Sequence, residues 1–512
     1  MEVSLQPEMY DVAIVGFGPS GAVAAALLAQ HGLKVWVGDQ AHDIYDKPRA
    51  IALDHEILRV FQQLGVIDEV LPYVEPFTPS EYYGVDGQLI KRLAMVEPPY
   101  PLGYTPSNVF TQPAIEAVLR RHVLSMPNAH VNLGVEVVNV AQDDAYAVLH
   151  IKLEDGSKSE VAARYVIGCD GARSAVREFA GIQLEDLEFD EPWLVVDVVV
   201  NEKGLGKLPA TSVQYCDPNR PCTFVIGPGN HRRWEISLHD DEDPIEAATP
   251  ARTWELLSRW IGPEDGELWR QASYRFHALV ANRWRNGRIF IAGDAAHQQP
   301  PFLGQGMCQG LRDVANLSWK LAAVLNGEVT GLAVERLLDS YGEERKEHVR
   351  ELTTRIKQIG AVICERDPTR ARARDAQLLA EQAGTVKDQP RQAVLPGLDR
   401  GLLSDQPGTA RGTLFPQPWV IRGDSKRVRL DDVAGSGWRL VATALEDSPV
   451  VEGVTIVQLD RGLQEVDGVV ARWMKANDCV AALVRPDHYV FGTAASPADV
   501  GKLLDDMRSR LQ

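Results

Sequence analysis

An α/β fold built around a parallel sheet is what the sequence predicts, and three separated segments carry that reading. The first is Asp11-Val-Ala-Ile-Val-Gly16-Phe-Gly18-Pro19-Ser20-Gly21. The second is Cys169-Asp170-Gly171-Ala-Arg173-Ser174. The third runs from Gly293-Asp294-Ala-Ala-His297 to Gly304-Gln305-Gly306. Each follows a short apolar run, at 12–15, 165–168 and 288–292, of the kind that forms a buried parallel strand.

In the first segment, the glycines at 16, 18 and 21 follow Val12 to Val15 at once, and Ala22 to Ala29 is a good helix former. A glycine turn between strand and helix brings backbone N–H groups close to a pyrophosphate, whose charge the helix N-terminus favours. Lys34-Val-Trp-Val37 reads as the next strand, and Asp39 stands at its end, placed to accept a ribose hydroxyl. Gly16, Gly18, Pro19, Ser20, Gly21 and Asp39 are therefore candidates for one end of a dinucleotide.

The third segment leads through Pro300-Pro301-Phe-Leu-Gly304 into a long helix. Met307, Leu311, Val314, Leu317, Leu321 and Val324 fall at spacings of three and four, on one face. A glycine loop feeding a helix N-terminus suits the electron-rich pyrimidine edge of a flavin, because the donors and the dipole stabilise negative charge on the reduced ring. Taken together, the segments describe two ends of one long dinucleotide. They argue for bound FAD and redox chemistry.

On these residues the chain resembles the single-component FAD-dependent aromatic hydroxylases, the class A flavoprotein monooxygenases, over roughly residues 8 to 395. Further matches are Lys47-Pro-Arg49-Ala-Ile, Phe110-Thr-Gln112-Pro, Tyr215-Cys-Asp-Pro-Asn-Arg220-Pro, and Gly310-Leu-Arg-Asp313 to Trp319-Lys-Leu. The resemblance implies that Arg49, Gln112, Asp170 and Gly293 contact the FAD and that Asp294 holds its ribitol chain. It implies that Gly304, Gln305, Gly306 and Met307 hold the isoalloxazine, and that Pro301 lies at the cofactor with its carbonyl facing the substrate ring. One departure is Cys308, where many relatives have Asn.

The implied architecture is a Rossmann-like FAD-binding domain in three pieces (1–75, 100–185 and 280–395), with a substrate domain at 76–99 and 186–279. Trp193-Leu-Val-Val-Asp-Val-Val-Val200, Thr223-Phe-Val-Ile226 and Arg233-Trp-Glu-Ile-Ser-Leu238 read as strands of an antiparallel sheet that roofs the flavin. Residues 366–392 read as a solvated helix and linker. Residues 400–512 read as a separate βα unit, and its element order resembles the thioredoxin-like appendage of the phenol-hydroxylase group. Ser496-Pro497 reads as the N-cap and first-turn proline of a helix to Met507. Cys479 is the only cysteine of that unit, so disulfide exchange is excluded there. Packing or subunit association, as in a homodimer, is its expected use.

Composition sets the outer limits. The chain has 512 residues and a net charge of −18, a balance that argues against nucleic acid as a partner. Met1 to Tyr10 carries no signal-peptide pattern, and no run of about 18 apolar residues predicts a membrane span. Six scattered cysteines without Cys-x-x-Cys suit a reducing cytoplasm. The 12 histidines show no metal-ligand spacing, so no metal is expected. His297 reads as an orienting or packing residue.

The resemblance implies the reaction. NADH or NADPH reduces the FAD; a single GxGxxG unit means that the coenzyme docks transiently. Reduced flavin takes up O2 as a hydroperoxide, and its distal oxygen attacks an electron-rich ring. The expected substrate is a small aromatic: a monocyclic phenol with a short acidic side chain, of the hydroxyphenylpropionate type. Tyr104, His231 and Tyr215 stand in segments suited to the substrate side, each with core or surface packing as the plainer use. Arg220 has two readings, as partner of a substrate carboxylate or as a brace for its own loop through Asp217. Oxidation of a polycyclic aromatic, Baeyer–Villiger chemistry and a non-catalytic flavin-binding role are the competing functions.

Overall fold

A computed structural model describes residues 9–423, 426–443, 445, 451–459 and 461–512. Most of the segment without a signal-peptide pattern, Met1 to Tyr10, lies outside the described residues. The first sheet is centred on the strand Met9–Val15. Lys158–Gly168 and Val35–Asp39 lie parallel on its two sides, and Ile289–Ile291 lies parallel beyond Lys158–Gly168. Val15 is in register with Gly168, and Gly168 with Ile291. The strands that precede the three motifs are therefore adjacent and point the same way. Their C-terminal ends deliver all three loops to one edge, where open parallel sheets bind ligands.

Behind that edge, the helix Pro19–Gln30 packs on the helix Gly306–Leu325. Small residues permit the approach: Ala22 to Ala29 is buried throughout, and a Cβ on Gly310 would come within 3.0 Å of the Gly293 Cα. The six residues expected on one face of Gly306–Leu325 are enclosed, Met307 partly so. The helix is also buried on its other faces, however, by polar groups that an apolar period does not register. Lys320 and Arg485 both pair with Glu344, at 2.8 and 2.7 Å, and Asn316 donates to Glu344 and Asp487.

The second sheet has nine strands. Six are antiparallel neighbours in the order His297–Gln298, Gly266–Ala281, Leu184–Val200, His231–Ser237, Cys222–Ile226 and Ser212–Tyr215. The hairpin of Ser80–Tyr83 and Leu89–Ala94 continues it, and Asp388–Pro390 pairs parallel with the outer hairpin strand. One face of the sheet is apolar, with Val196, Val198, Phe224, Trp234 and Ile236 packed under residues 244–261. The other face carries Asp197, Thr223, Arg233 and Glu235. Residues 366–392 are more than a solvated linker. The helix Pro368–Glu381 seats Asp375 under the hairpin, where it accepts the Val85 N–H at 2.8 Å.

The C-terminal unit has the expected thioredoxin-like sheet. Val454–Gln458 is parallel to Trp438–Ala442, and Ala481–Val484 and Val490–Ala494 follow antiparallel. Val469–Ala476 and Val500–Leu511 are its longer helices, after the short Leu430–Ala434. The last helix starts later than a Ser496 N-cap would place it, after a 3₁₀ turn at Pro497–Asp499, and ends at Leu511. The unit is locked to the first domain by buried charge, with Arg59 bound to Asp431 at 2.5 Å as well as Arg485 to Glu344. No helix among the described residues is long and apolar enough to cross a membrane.

Candidate active site

A cavity of about 910 Å³ lies between the motif edge of the first sheet and the polar face of the second. Each glycine of the first motif has its own reason. Gly16 has φ +98°, and a Cβ there would strike the Cys169 carbonyl at 2.4 Å. A Cβ on Gly21 would overlap the Gly16 carbonyl at 1.9 Å, so this glycine lets the helix close on the strand. Gly18 faces open space, and its missing side chain leaves room for a ligand at the helix N-terminus. Asp39 is fixed beside this turn, its carboxylate accepting the Phe17 N–H at 2.6 Å and the Ala41 N–H at 2.7 Å.

The neighbouring loops complete this wall. Asp170 accepts the Ser174 hydroxyl at 2.5 Å and the Val176 N–H at 3.1 Å while lining the cavity. The Gln112 Oε1 accepts the N–H groups of Arg49 and Ala50, which shapes the arginine loop. Gly293 has φ +64°, and its N–H donates to Asp313 at 3.0 Å. Asp313 also binds His297 and Arg345. Burial pushes its carboxyl up, but the contacts with His297, Arg345 and the Gly293 N–H outweigh it and hold it below the ordinary range. His297 lines the cavity and stacks on Trp284. Asp294 points into the cavity, and no described residue hydrogen-bonds its carboxylate.

Pro301, Gly304, Gly306 and Met307 line the far end. The Pro301 carbonyl accepts the Gly304 N–H at 2.6 Å, which commits one of its lone pairs to the turn. Gln305 does not line the cavity. Its side chain points away and accepts from Arg312 at 2.9 Å. Arg312 pairs with Glu56 at 2.5 Å and with Asp54, and Glu56 accepts the Tyr489 hydroxyl at 3.0 Å, so the C-terminal unit braces this loop. Cys308 is buried beneath it, and burial pushes its thiol well up, so it is not a reactive thiolate.

These residues fit FAD. Open space at Gly18 and Gly306, an Asp39 carboxylate at one end and an unpartnered Asp294 in the middle are what pyrophosphate, isoalloxazine, ribose and ribitol require. Among the described residues no cluster of His, Cys, Asp and Glu could hold a metal ion.

The opposite wall corrects several expectations. Arg220 is not at the cavity. Its guanidinium is bound bidentately to Glu242, at 2.8 and 3.2 Å, and donates to the Ser237 carbonyl. Tyr215 lies on the apolar face of the sheet, where its hydroxyl accepts the Trp260 indole N–H at 3.1 Å. His231 is bound to Asp197 at 2.7 Å, and the Tyr104 hydroxyl donates to Gln62 at 2.9 Å under the Arg429 guanidinium. None of the four lines the cavity. The sheet presents Gln214, Thr223, Arg233, Glu235, Arg270 and Tyr274 instead, with Arg391 from the chain beyond the last strand. The alternation Arg233-Trp-Glu235-Ile-Ser237 was the available signal: its polar members share one face.

Residues 9–356 match the family model described as an FAD binding domain. Among its relatives, the chain is 37% identical over 517 residues to the protein named "Probable NADH-specific resorcinol 4-hydroxylase" of Rhodococcus jostii (strain RHA1), covering 97% of this chain and 94% of that one. It is 34% identical over 513 residues to the 3-(3-hydroxy-phenyl)propionate/3-hydroxycinnamic acid hydroxylase of Burkholderia cenocepacia (strain HI2424), with 94% and 93% covered. Among solved structures, aklavinone-11 hydroxylase in complex with FAD and aklavinone superposes with a TM-score of 0.78 at 25% identity, covering 97% of this chain and 98% of that one. The flavin-dependent monooxygenase PieE shares the fold, with a TM-score of 0.81 at 22% identity over 98% of this chain and 99% of that one. Motif geometry, family match and relatives agree: the chain is an FAD-dependent enzyme and belongs to the FAD-binding-domain family of flavoprotein aromatic hydroxylases.

Proposed function

We propose that this enzyme uses NADH and O2 to hydroxylate a monocyclic phenol, in the cytoplasm. The observation that carries the reading is the cavity's pair of walls: the loops of the three glycine motifs face the polar side of the second sheet across a cavity of about 910 Å³. Bound FAD supplies hydride acceptance from the nicotinamide coenzyme and activation of O2. The protein's part is to hold the ring about 3–3.5 Å from the reacting position, to exclude water and to keep the ring electron-rich. The two curated relatives' names support a phenolic substrate and, in one case, NADH. Six free cysteines among the described residues support a reducing compartment.

An anionic group on the substrate is part of the proposal, with Arg391 in place of Arg220. Arg391 is buried at the cavity edge, donates to Ser80 Oγ at 3.2 Å and the Leu303 carbonyl at 2.9 Å, and lies over Phe77. No carboxylate among the described residues pairs with it. A buried, uncompensated cation is costly, and a substrate carboxylate would offset that cost. Purified enzyme should oxidise NADH faster in the presence of a phenol and yield hydroxylated product in step. Arg391→Met should raise KM at least about tenfold for a hydroxyphenylpropionate, the loss of one charged hydrogen bond, and leave KM for resorcinol unchanged. An equal change for both removes Arg391 from substrate binding. Coupled product from polycyclic phenols alone would move the substrate class to those compounds.

A further inference from the structure

Among the charged residues on the cavity face of the second sheet, Glu235 stands apart. It is 6% exposed and lines the cavity, yet no described residue donates a hydrogen bond to its carboxyl. Asp197, Arg233 and Thr223 beside it are already committed. Asp197 accepts from Arg233 Nε at 2.7 Å and from His231, while Arg233 also donates to the Pro48 and Arg49 carbonyls. Thr223, directly across from Glu235, gives its hydroxyl proton to Gln214 at 2.6 Å.

The register places this carboxyl. Val195 lies opposite Glu235 on its other side, and Trp193 stands two residues along on the same face. Phe302 packs edge-on against Trp193 at 5.6 Å, and Phe302 follows Pro301 in the loop expected to hold the isoalloxazine. Glu235 therefore faces the cavity between that loop and the Arg233–Asp197 pair.

We propose that Glu235 is the base that accepts the proton of the substrate's phenolic hydroxyl. This rests on the reading of the enzyme as a phenol hydroxylase. The phenolic O–H bond breaks and a carboxyl O–H bond forms on Glu235. The electron pair stays on the phenolate oxygen and delocalises onto the ortho and para carbons, so nothing is oxidised or reduced in this step. The charged groups facing Glu235 are Arg233 on its own strand, Asp197 on Leu184–Val200 and Arg270 on Gly266–Ala281; Cys222–Ile226 presents the neutral Thr223. Burial raises the Glu235 carboxyl most, Arg233 and Arg270 pull it down and Asp197 pushes it up, to about 7. A base near the working pH is the efficient one for proton abstraction.

The test uses the FAD-loaded full chain. If no phenol stimulates NADH oxidation by the wild-type enzyme, the hydroxylase reading falls and this proposal with it. With an active phenol in hand, Glu235→Gln should retain FAD and lower the coupled rate by about 10²–10⁴-fold. It should also flatten the rise in kcat/KM through pH about 7 that is expected of the wild type. A Gln variant within threefold of wild type, with the same pH profile, overturns the proposal. Bound phenol gives a second readout that needs no variant. Its ultraviolet phenolate band should appear with a midpoint near pH 7 in the wild type, and should persist in Glu235→Asp. A midpoint at the free phenol's own pKa overturns the assignment even if the Gln variant fails to fold.

Discussion

The two walls of the cavity are built on opposite principles. The cofactor wall comes from three loops at the ends of adjacent parallel strands, and it works chiefly through backbone shape. Gly16, Gly18, Gly21 and Gly293 contribute conformation and space; Asp39 and Asp294 add single carboxylates. The substrate wall works through side chains drawn from several antiparallel strands, with Asp197, Arg233, Arg270 and Glu235 crowded on one face. A dinucleotide is an invariant ligand, and a few fixed backbone turns can hold it. A substrate pocket must be adjustable, and alternate positions along strands supply that without disturbing the fold.

This contrast should be measurable, and the largest effect is expected on the substrate wall. Asp197 is fully enclosed and holds Arg233 and His231, with Arg270 3.6 Å away. Asp197→Ala leaves buried cations without a counter-charge and should cost about 3–5 kcal/mol of stability in denaturant titration. A loss below about 1 kcal/mol would mean that the cluster relaxes like a surface one. On the cofactor wall, Asp294→Ala should weaken FAD retention by roughly 1.5–3 kcal/mol, one charged hydrogen bond. Asp217→Ala, whose residue does not line this cavity, should leave FAD affinity unchanged. Equal Kd values for FAD in the two variants would break the assignment.

Glu235 provides a pH-dependent comparison. Its folded carboxyl titrates near 7, above the ordinary 4.5. Between those values the folded protein holds a proton that the unfolded chain has released, so this group makes stability fall as pH rises through the window. Glu235→Gln removes that loss. Its stability relative to wild type should rise from pH 5 to pH 8, by up to about 3 kcal/mol, in paired thermal melts. A constant difference across that range would show that the carboxyl is not raised. The smallest effect belongs to the C-terminal unit. Cys479 is a buried thiol packed near Met474, and Cys479→Ser should leave turnover within about twofold. A large loss with the fold intact would give that unit a redox role.

Sequence by itself made the glycine turns of the cofactor wall legible, because each strand, turn and helix there is local. Strand, glycine turn and helix are contiguous in the chain, and Gly21 answers to the Gly16 carbonyl within its own motif, although Gly16 itself meets the Cys169 carbonyl of the second. The thioredoxin-like unit was legible for the same reason, as successive strand and helix patterns. Tertiary structure alone decided the substrate wall. The pairing of Val195 with Glu235 and of Asp197 with Arg233 depends on strand register, and a shift of one residue would turn each side chain to the apolar face. Arg220 and Tyr215 were plausible in the sequence because an arginine or tyrosine near the right segment looks available. Folding committed Arg220 to Glu242 and turned Tyr215 toward Trp260, while Arg391, from a stretch that reads as a linker, was carried to the cavity edge by a strand pairing that links residues 388–390 to 92–94. Local sequence encodes backbone turns; which charges remain unpaired, and so free to meet a ligand, emerges only when distant strands are brought into register.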